Sequence, residues 1–281
     1  MTRSALLPAL ATALFFGVIS PTSAATPTPA PTPALTYADL ADLAGAAPLV
    51  ARVQVREVTR IDPAQAPGLA PGTARVLVKA RTRAVLVGPP LGESIRYLAD
   101  VPLTAKGKLP KLDKRDALVF ARIVPARAGE LQLVATDAQV PWDAALEGRV
   151  RAILTELVAP NAPPRVTGVR EALHVPGNLV GEGETQIFLS TESGDPVSLT
   201  VLRRPGAEPT WGVALGEIVD QAARPPARDT LTWYRLACFL PTALPQSANL
   251  SGVARARAIA AEDYRLVRGE LGACPRTRAR R

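Results

Sequence analysis

Asp229–Pro241 reads DTLTWYRLACFLP and gathers Trp233, Tyr234, Phe239 and Cys238 in a chain that is only 4% aromatic and has two cysteines. Asp229 or Thr230 can cap a helix there, and Pro241 stops it. Leu231, Tyr234, Leu236, Cys238 and Phe239 leave such a helix little solvent face, so it reads as a buried central element. The second cysteine, Cys274, comes after a long helical pattern from Val253 to Leu271. Ser251 stands there as N-cap, Gly272 at C′, and Ala256, Ile259, Ala260, Tyr264 and Val267 form the buried stripe. A Cys238–Cys274 bridge would tie the two helices together.

The chain opens MTRSALLPALATALFFGVISPTSAA. Arg3 supplies a basic start, Ala5–Ile19 an apolar run and Thr22–Ala25 a small-residue cleavage site, the pattern of a secretory signal peptide over residues 1–24. The apolar run is shorter than the ~20 residues a membrane span needs. The mature protein is therefore expected to be periplasmic or secreted, without a transmembrane helix. Two cysteines in an oxidising compartment favour a disulfide over a metal site. Residues 25–35, which begin ATPTPAPTPA, form a Pro/Thr/Ala tether of extended conformers. The rest of the chain divides into a domain over 36–140, a connecting helix and Pro-rich linker over 141–164, a second domain over 165–275 and an Arg-rich, disordered tail over 276–281.

Within 36–140, Thr36-Tyr37-Ala38-Asp39 is a capping-box variant that opens a short helix ending near Gly45. Leu49, Ala51, Val53 and Val55 then alternate with polar or exposed positions, a half-buried strand with a bulge near Arg56-Glu57. Asp62–Gly72 is a long loop. Further strands lie at Ala74–Val87, Ile95–Val101, Leu118–Val124 and Leu131–Thr136, which makes five in all. The succession of a short helix, LVARVQVREV, ARVLVKARTRAVLVG and DKRDALVFAR before a closing strand resembles secreted OB-like barrels of the netrin and metalloproteinase-inhibitor type over Thr36–Val140. That resemblance implies a five-stranded antiparallel barrel. Inhibitors of that type present a mature N-terminal cysteine to a metal; the tether stands in its place here, so inhibition is not implied.

Asp143 can cap an amphipathic helix to about Val158, with Leu146, Val150, Ile153, Leu154 and Leu157 inward. APNAPP (159–164) stops it. Strands are expected at Val166–Val175, Glu184–Thr191, Val197–Arg203 and Thr210–Leu215, before the two helices. This second part is a smaller α+β domain with C-terminal helices.

Net charge is +8, and the excess is local. Residues 37–140 carry 15 Lys+Arg against 10 Asp+Glu, and all five lysines lie between Lys79 and Lys114. Arg75, Lys79, Arg81 and Arg83 share one side of a strand, and Lys106, Lys108, Lys111, Lys114 and Arg115 crowd the loop Leu103–Arg115. This is the strongest surface signal, and it points to an anionic envelope surface or an acidic protein partner. Nucleic acid is not expected: single-strand binding needs aromatic platforms beside the charge, and only Tyr97 is at hand.

His174, the single histidine, lies in an expected strand with Ser190, Ser193 and Ser198 downstream, so a His-based hydrolase is a second reading. A GxSxG elbow is missing from the sequence. Gly181-Glu182-Gly183-Glu184 is glycine-rich but acidic and precedes a strand, which makes it a mobile loop rather than a phosphate cradle. No metal or cofactor motif emerges. The leading expectation is a non-catalytic binding protein outside the cytoplasm. A structural subunit of an envelope assembly, pairing through exposed strand edges, is the third reading.

Overall fold

Alternating small apolar and polar side chains between Leu49 and Pro102 favour long paired strands, and the capped apolar stripes around them favour helices. A computed structural model of the chain describes Met1, residues 34–216 and residues 224–278. The signal-peptide reading, nearly all of the tether and the last arginines, Arg280 and Arg281, lie outside the described residues. Among those described, the fold is mixed α+β with two antiparallel sheets and four helices.

Helix α1 (Tyr37–Ala46) starts from a full capping box between Thr36 and Asp39. Its inward side is Ala38, Leu40, Ala41, Leu43 and Ala44, and the small residues let neighbouring backbone approach closely. Next come strands β1 (Leu49–Arg60), β2 (Thr73–Val87), β3 (Ser94–Pro102) and β4 (Asp116–Ile123), then two three-residue strands, β5 (Leu131–Leu133) and β6 (Gln139–Pro141). Their order is β3-β2-β1-β4-β5, with β6 also on β4. The expected bulge is present: the β1–β2 register shifts between Val55 and Glu57, leaving Arg56 without an opposite residue.

The five-stranded barrel expected from sequence is corrected in two respects. The closing strand is divided. Ala121–Ile123 pair with β5 and Ala117–Val119 with β6, while residues 134–138 stand opposite Phe120 alone. Phe120 accepts from Val134 N–H at 3.0 Å and donates to the Ala138 carbonyl at 3.0 Å, and the buried Ala138 fills the bend. The sheet therefore has six strands. It is also not a closed barrel, because β5 is too short to pair along β3. The two edges meet in one parallel bridge, Arg96 to Glu130, and Asp100 N–H donates to Thr136 O at 2.7 Å beside it. A cleft of about 540 Å³ opens at this seam, lined in part by Leu77, Leu98, Leu131 and Arg127.

Asp143 caps α2 (Ala144–Val158) by accepting from Leu146 N–H. Strands β7 (Val166–Pro176), β8 (Gly183–Thr191), β9 (Val197–Arg203) and β10 (Thr210–Leu215) form a second sheet in the order β10-β9-β8-β7. Helix α3 (Leu231–Ala237) is capped by Thr230 and ends before Cys238, three residues short of Pro241. It is buried as expected: Leu231, Trp233, Tyr234, Arg235, Leu236 and Ala237 are all inside. Cys238 and Phe239, beyond its end, are half-buried.

Helix α4 (Ala254–Leu271) lies on β7 and β8, while α1, α2 and α3 pack on one another and α3 also meets α4. Its N-cap position is Val253 with no side-chain cap. Ser251, expected in that role, instead accepts the His174 backbone N–H at 3.0 Å. Gly272 ends α4 at φ 70°, the left-handed region that favours glycine. One continuous apolar core includes Val53, Val78 and Phe120 of the first sheet, Ile187 and Leu199 of the second, and Trp233 and Leu236 of α3.

Cys238 and Cys274 form a disulfide with Cα atoms 5.2 Å apart. The segment beyond it, expected from sequence to be a loose tail, is docked as far as Arg278. Arg276 Nε donates to Asp42 at 2.7 Å, and Arg278 pairs with Asp137 at 2.7 Å. The Thr277 hydroxyl donates to Asp39 at 2.7 Å. Burial raises the pKa of the enclosed Asp39 carboxyl, but bonds from the Thr277 side chain and backbone, Thr36 N–H and Arg278 N–H prevail and hold it at about 2. No described helix is long and apolar enough to cross a membrane.

Candidate functional site

The basic residues expected to act together fall into two groups. On β2, three of the four strand cations are matched by acids. Arg75 makes a bidentate pair with Asp100 at 2.7 and 3.0 Å. Lys79 meets Glu57 at 3.0 Å, and Arg81 meets Glu93 at 2.8 Å. Only Arg83 projects without an ion pair among the described residues. The strand face is thus close to neutral, because Glu57 of β1, Asp100 of β3 and Glu93 just before β3 stand opposite its cations.

The loop between β3 and β4 is different. Leu103 N–H donates to Gly72 O at 2.8 Å, and Lys114 N–H to Val55 O at 2.9 Å, while Arg115 O accepts from Val55 N–H at 2.9 Å. Both ends are thereby fastened to the sheet. Between them Thr104 and Lys108 close a tight turn: Thr104 N–H donates to Lys108 O at 2.8 Å and Lys108 N–H to the Thr104 hydroxyl at 3.2 Å. Gly107 sits in this turn at φ 68°. Leu109 and Leu112 turn inward against the core. Lys106, Lys108, Lys111, Lys114 and Arg115 are left exposed, and none has an ion pair among the described residues. Apolar anchors and backbone bonds fix the loop's course, so the charges are carried on a shaped surface.

His174 occupies another setting. It is 4% exposed on the side of β7 covered by α4. Its Nδ1 lies 2.8 Å from the Thr185 hydroxyl on β8, which donates to Asp263 of α4. Because the threonine proton goes to the carboxylate, Nδ1 must carry the ring proton and donate. Arg203 Nε completes the group by donating to the other Asp263 oxygen at 2.7 Å. Burial lowers the His174 pKa, opposed by Asp263 and reinforced by Arg203. The Nε2 edge faces Gly183: a Cβ placed there would come within 2.9 Å of Nε2 and 2.6 Å of Cε1. Ser190, Ser193 and Ser198 are not partners of the ring. Ser193 bonds Asp195, and the buried Ser198 hydroxyl has no hydrogen-bond partner among the described residues. The hydroxyl that His174 reaches lies between base and acid, so the order is acid, hydroxyl, imidazole. A nucleophile would need to lie on the far side of the imidazole. This group fastens α4 to the second sheet.

Asp263, Thr185 and Arg203 were missed in the sequence. An aspartate within the stripe of α4 reads as a break in amphipathicity, and the only signal was its position three residues after Ala260 on the inward side. The glycine-rich segment is closed on itself: the Glu182 carboxylate accepts from Asn178 N–H at 3.0 Å and Leu179 N–H at 3.1 Å, leaving an acid where a phosphate would sit. Among the described residues no cluster of His, Cys, Asp and Glu can hold a metal ion.

These features define a mixed α+β protein with two antiparallel sheets and a disulfide. No protein-family model matches the chain, and no curated protein is significantly similar to it.

Proposed function

We propose that this is a non-catalytic binding protein that works outside the cytoplasm and engages an anionic envelope surface or an acidic partner through the loop Leu103–Arg115. The observation that carries this reading is the contrast between the neutralised cations of β2 and the five unpaired cations of that loop, held on a fastened turn. An array of like charges on a fixed surface raises the local concentration of anionic ligands and speeds encounter with them. The disulfide and the signal-like N-terminal sequence fit an oxidising compartment. The strand order and the single parallel bridge at the seam support reading the first sheet as a partly open, OB-like barrel.

The test uses the full mature chain, because the two sheets share a core. Co-sedimentation with vesicles containing anionic lipid, and separately with an acidic polysaccharide, is compared at physiological salt and at about 0.5 M. Added salt shortens the Debye length from about 8 Å toward the roughly 3 Å of molar salt, so pelleting should fall markedly. The combined change of Lys106, Lys108, Lys111 and Lys114 to Gln should remove most binding and leave the melting temperature unchanged. Equal pelleting of wild type and the quadruple variant would show that the lysines serve solubility alone.

A further inference from the structure

Arg235 is an unusual occupant of α3. It is 7% exposed, on a helix whose other buried positions are apolar or aromatic. Its guanidinium lies 5.5 Å from the Tyr234 ring centroid, and among the described residues it makes no ion pair with a carboxylate and its wholly buried Nε has no hydrogen-bond partner. A guanidinium keeps its charge inside proteins, and a buried charge without a counter-ion is strongly unfavourable. Burial foremost, with Arg165 acting in the same direction, depresses its pKa.

Arg235 lines a cleft of about 340 Å³ between α1, the bend at 134–137, α3 and the docked C-terminal segment. Arg165 lines it too. One terminal nitrogen of Arg165 is held by Gly45 O at 2.9 Å, while the other stands 3.8 Å from the exposed Glu192. Ala41, Leu43, Val134 and Phe239 supply apolar wall. Two carboxylates also border the cleft, but both are engaged elsewhere. Asp42 takes the Tyr234 hydroxyl and Arg276, and Asp137 takes Arg278.

We propose that this cleft binds a small organic carboxylate, with the carboxylate group on Arg235 and Arg165 and its hydrocarbon part against Ala41, Leu43, Val134 and Phe239. Three features select that chemistry. A guanidinium fork matches the planar geometry of a carboxylate. Asp42 and Asp137 are matched by Arg276 and Arg278 and Arg165 has Glu192 at 3.8 Å, so the one charge at the cleft without a described counter-ion is that of Arg235, which suits a monoanion better than a phosphate dianion. The apolar wall would be wasted on an inorganic ion. The volume is near the lower end of the roughly 300–1,000 Å³ of small-molecule sites, which limits the ligand to a short chain. The site is separate from the lysine loop and does not depend on it.

Hexanoate is the probe, with hexylammonium, inorganic phosphate and chloride at matched ionic strength as comparisons. Calorimetric titration and thermal unfolding of the full mature protein should show saturable hexanoate binding and a rise in melting temperature that the others do not produce. Arg235→Met should weaken binding at least tenfold while leaving the ligand-free melting temperature unchanged or higher, since it removes a buried unpaired charge. A purely structural Arg235 would lower it. Arg165→Gln should weaken binding several-fold, and the Arg235 side-chain Nε–Hε resonance of the wild type should move on titration, so the proposal stands or falls even if the methionine variant does not fold. An equal response to phosphate, an unmoved Nε–Hε resonance, or undiminished hexanoate binding in Arg235→Met would each overturn it.

Discussion

His174 presents its Nδ1 proton to Thr185, and the ring is enclosed by α4, so charging it has a cost in the folded protein that it lacks in the unfolded chain. Its pKa when folded is accordingly below the ordinary 6.5. The unfolded chain then binds more protons as pH falls through 6.5, and stability declines in that direction. The stabilisation from the neutral ring is fully present above about pH 7 and is lost progressively toward the lower folded value. Since this is the single histidine, a falling denaturation midpoint between pH 7.5 and 5.5 is expected to belong to it. His174→Gln should flatten that slope whatever it does to absolute stability. An equal slope in the variant would place the titration elsewhere. A serine hydrolase would need the opposite arrangement, with a solvated Nε2 beside a free hydroxyl, and Gly183 occupies that side.

At the scale of elements, the disulfide and the bonds of Arg276 and Thr277 to Asp42 and Asp39 hold the segment Cys274–Arg278 against α1 and the end of α3. Closing the 36-residue separation between Cys238 and Cys274 restricts the unfolded chain by an amount worth about 4 kcal/mol in the chain-entropy model. The Cys238→Ala/Cys274→Ala double variant should lose stability of that order in chemical denaturation. A loss below about 1 kcal/mol would mean that the contacts of Arg276 and Thr277 with Asp42 and Asp39 already fix the segment. Most elements were legible in the sequence because their signals are local: the Thr36–Asp39 capping box, the alternation of β2, the Asp143 cap, Gly272 after α4. What was not legible depends on partners distant in sequence. The break between β5 and β6 is set by Phe120 bonding both sides of the bend. The neutrality of the β2 face comes from Glu57, Glu93 and Asp100, which the strand's own sequence does not contain. Ser251 reads as a cap because serine suits one, yet β7 claims its hydroxyl. Arg235 gave no signal at all, since an arginine in a short helix is ordinarily solvated.

For the whole molecule the question is whether the two sheets unfold together. Trp233 lies on α3, which packs on α1, α2 and α4; it is 2% exposed, with its Nε1 donating to Leu271 O at 2.9 Å and its ring edge-on to Tyr37 of α1 at 6.3 Å. Truncating a buried tryptophan costs roughly 3–5 kcal/mol, a large share of the stability of an ordinary domain. Its neighbours belong to both halves of the chain, so Trp233→Ala should weaken both sheets at once. The two remaining tryptophans make this measurable. Trp142 precedes α2, bonded to Glu147 and stacked under Arg52 of the first sheet at 3.5 Å. Trp211 is on β10 of the second, bonded to Glu270 of α4 at 2.6 Å. In a Trp233→Ala background, Trp142→Phe leaves Trp211 as the single reporter, on the second sheet, and Trp211→Phe leaves Trp142, beside the first. Both reporters should give the same denaturant midpoint, shifted down by the same amount from their parents. If the Trp211 signal moves while the Trp142 signal stays at its parental midpoint, the shared core does not couple the sheets, and α3 belongs energetically to the second sheet alone.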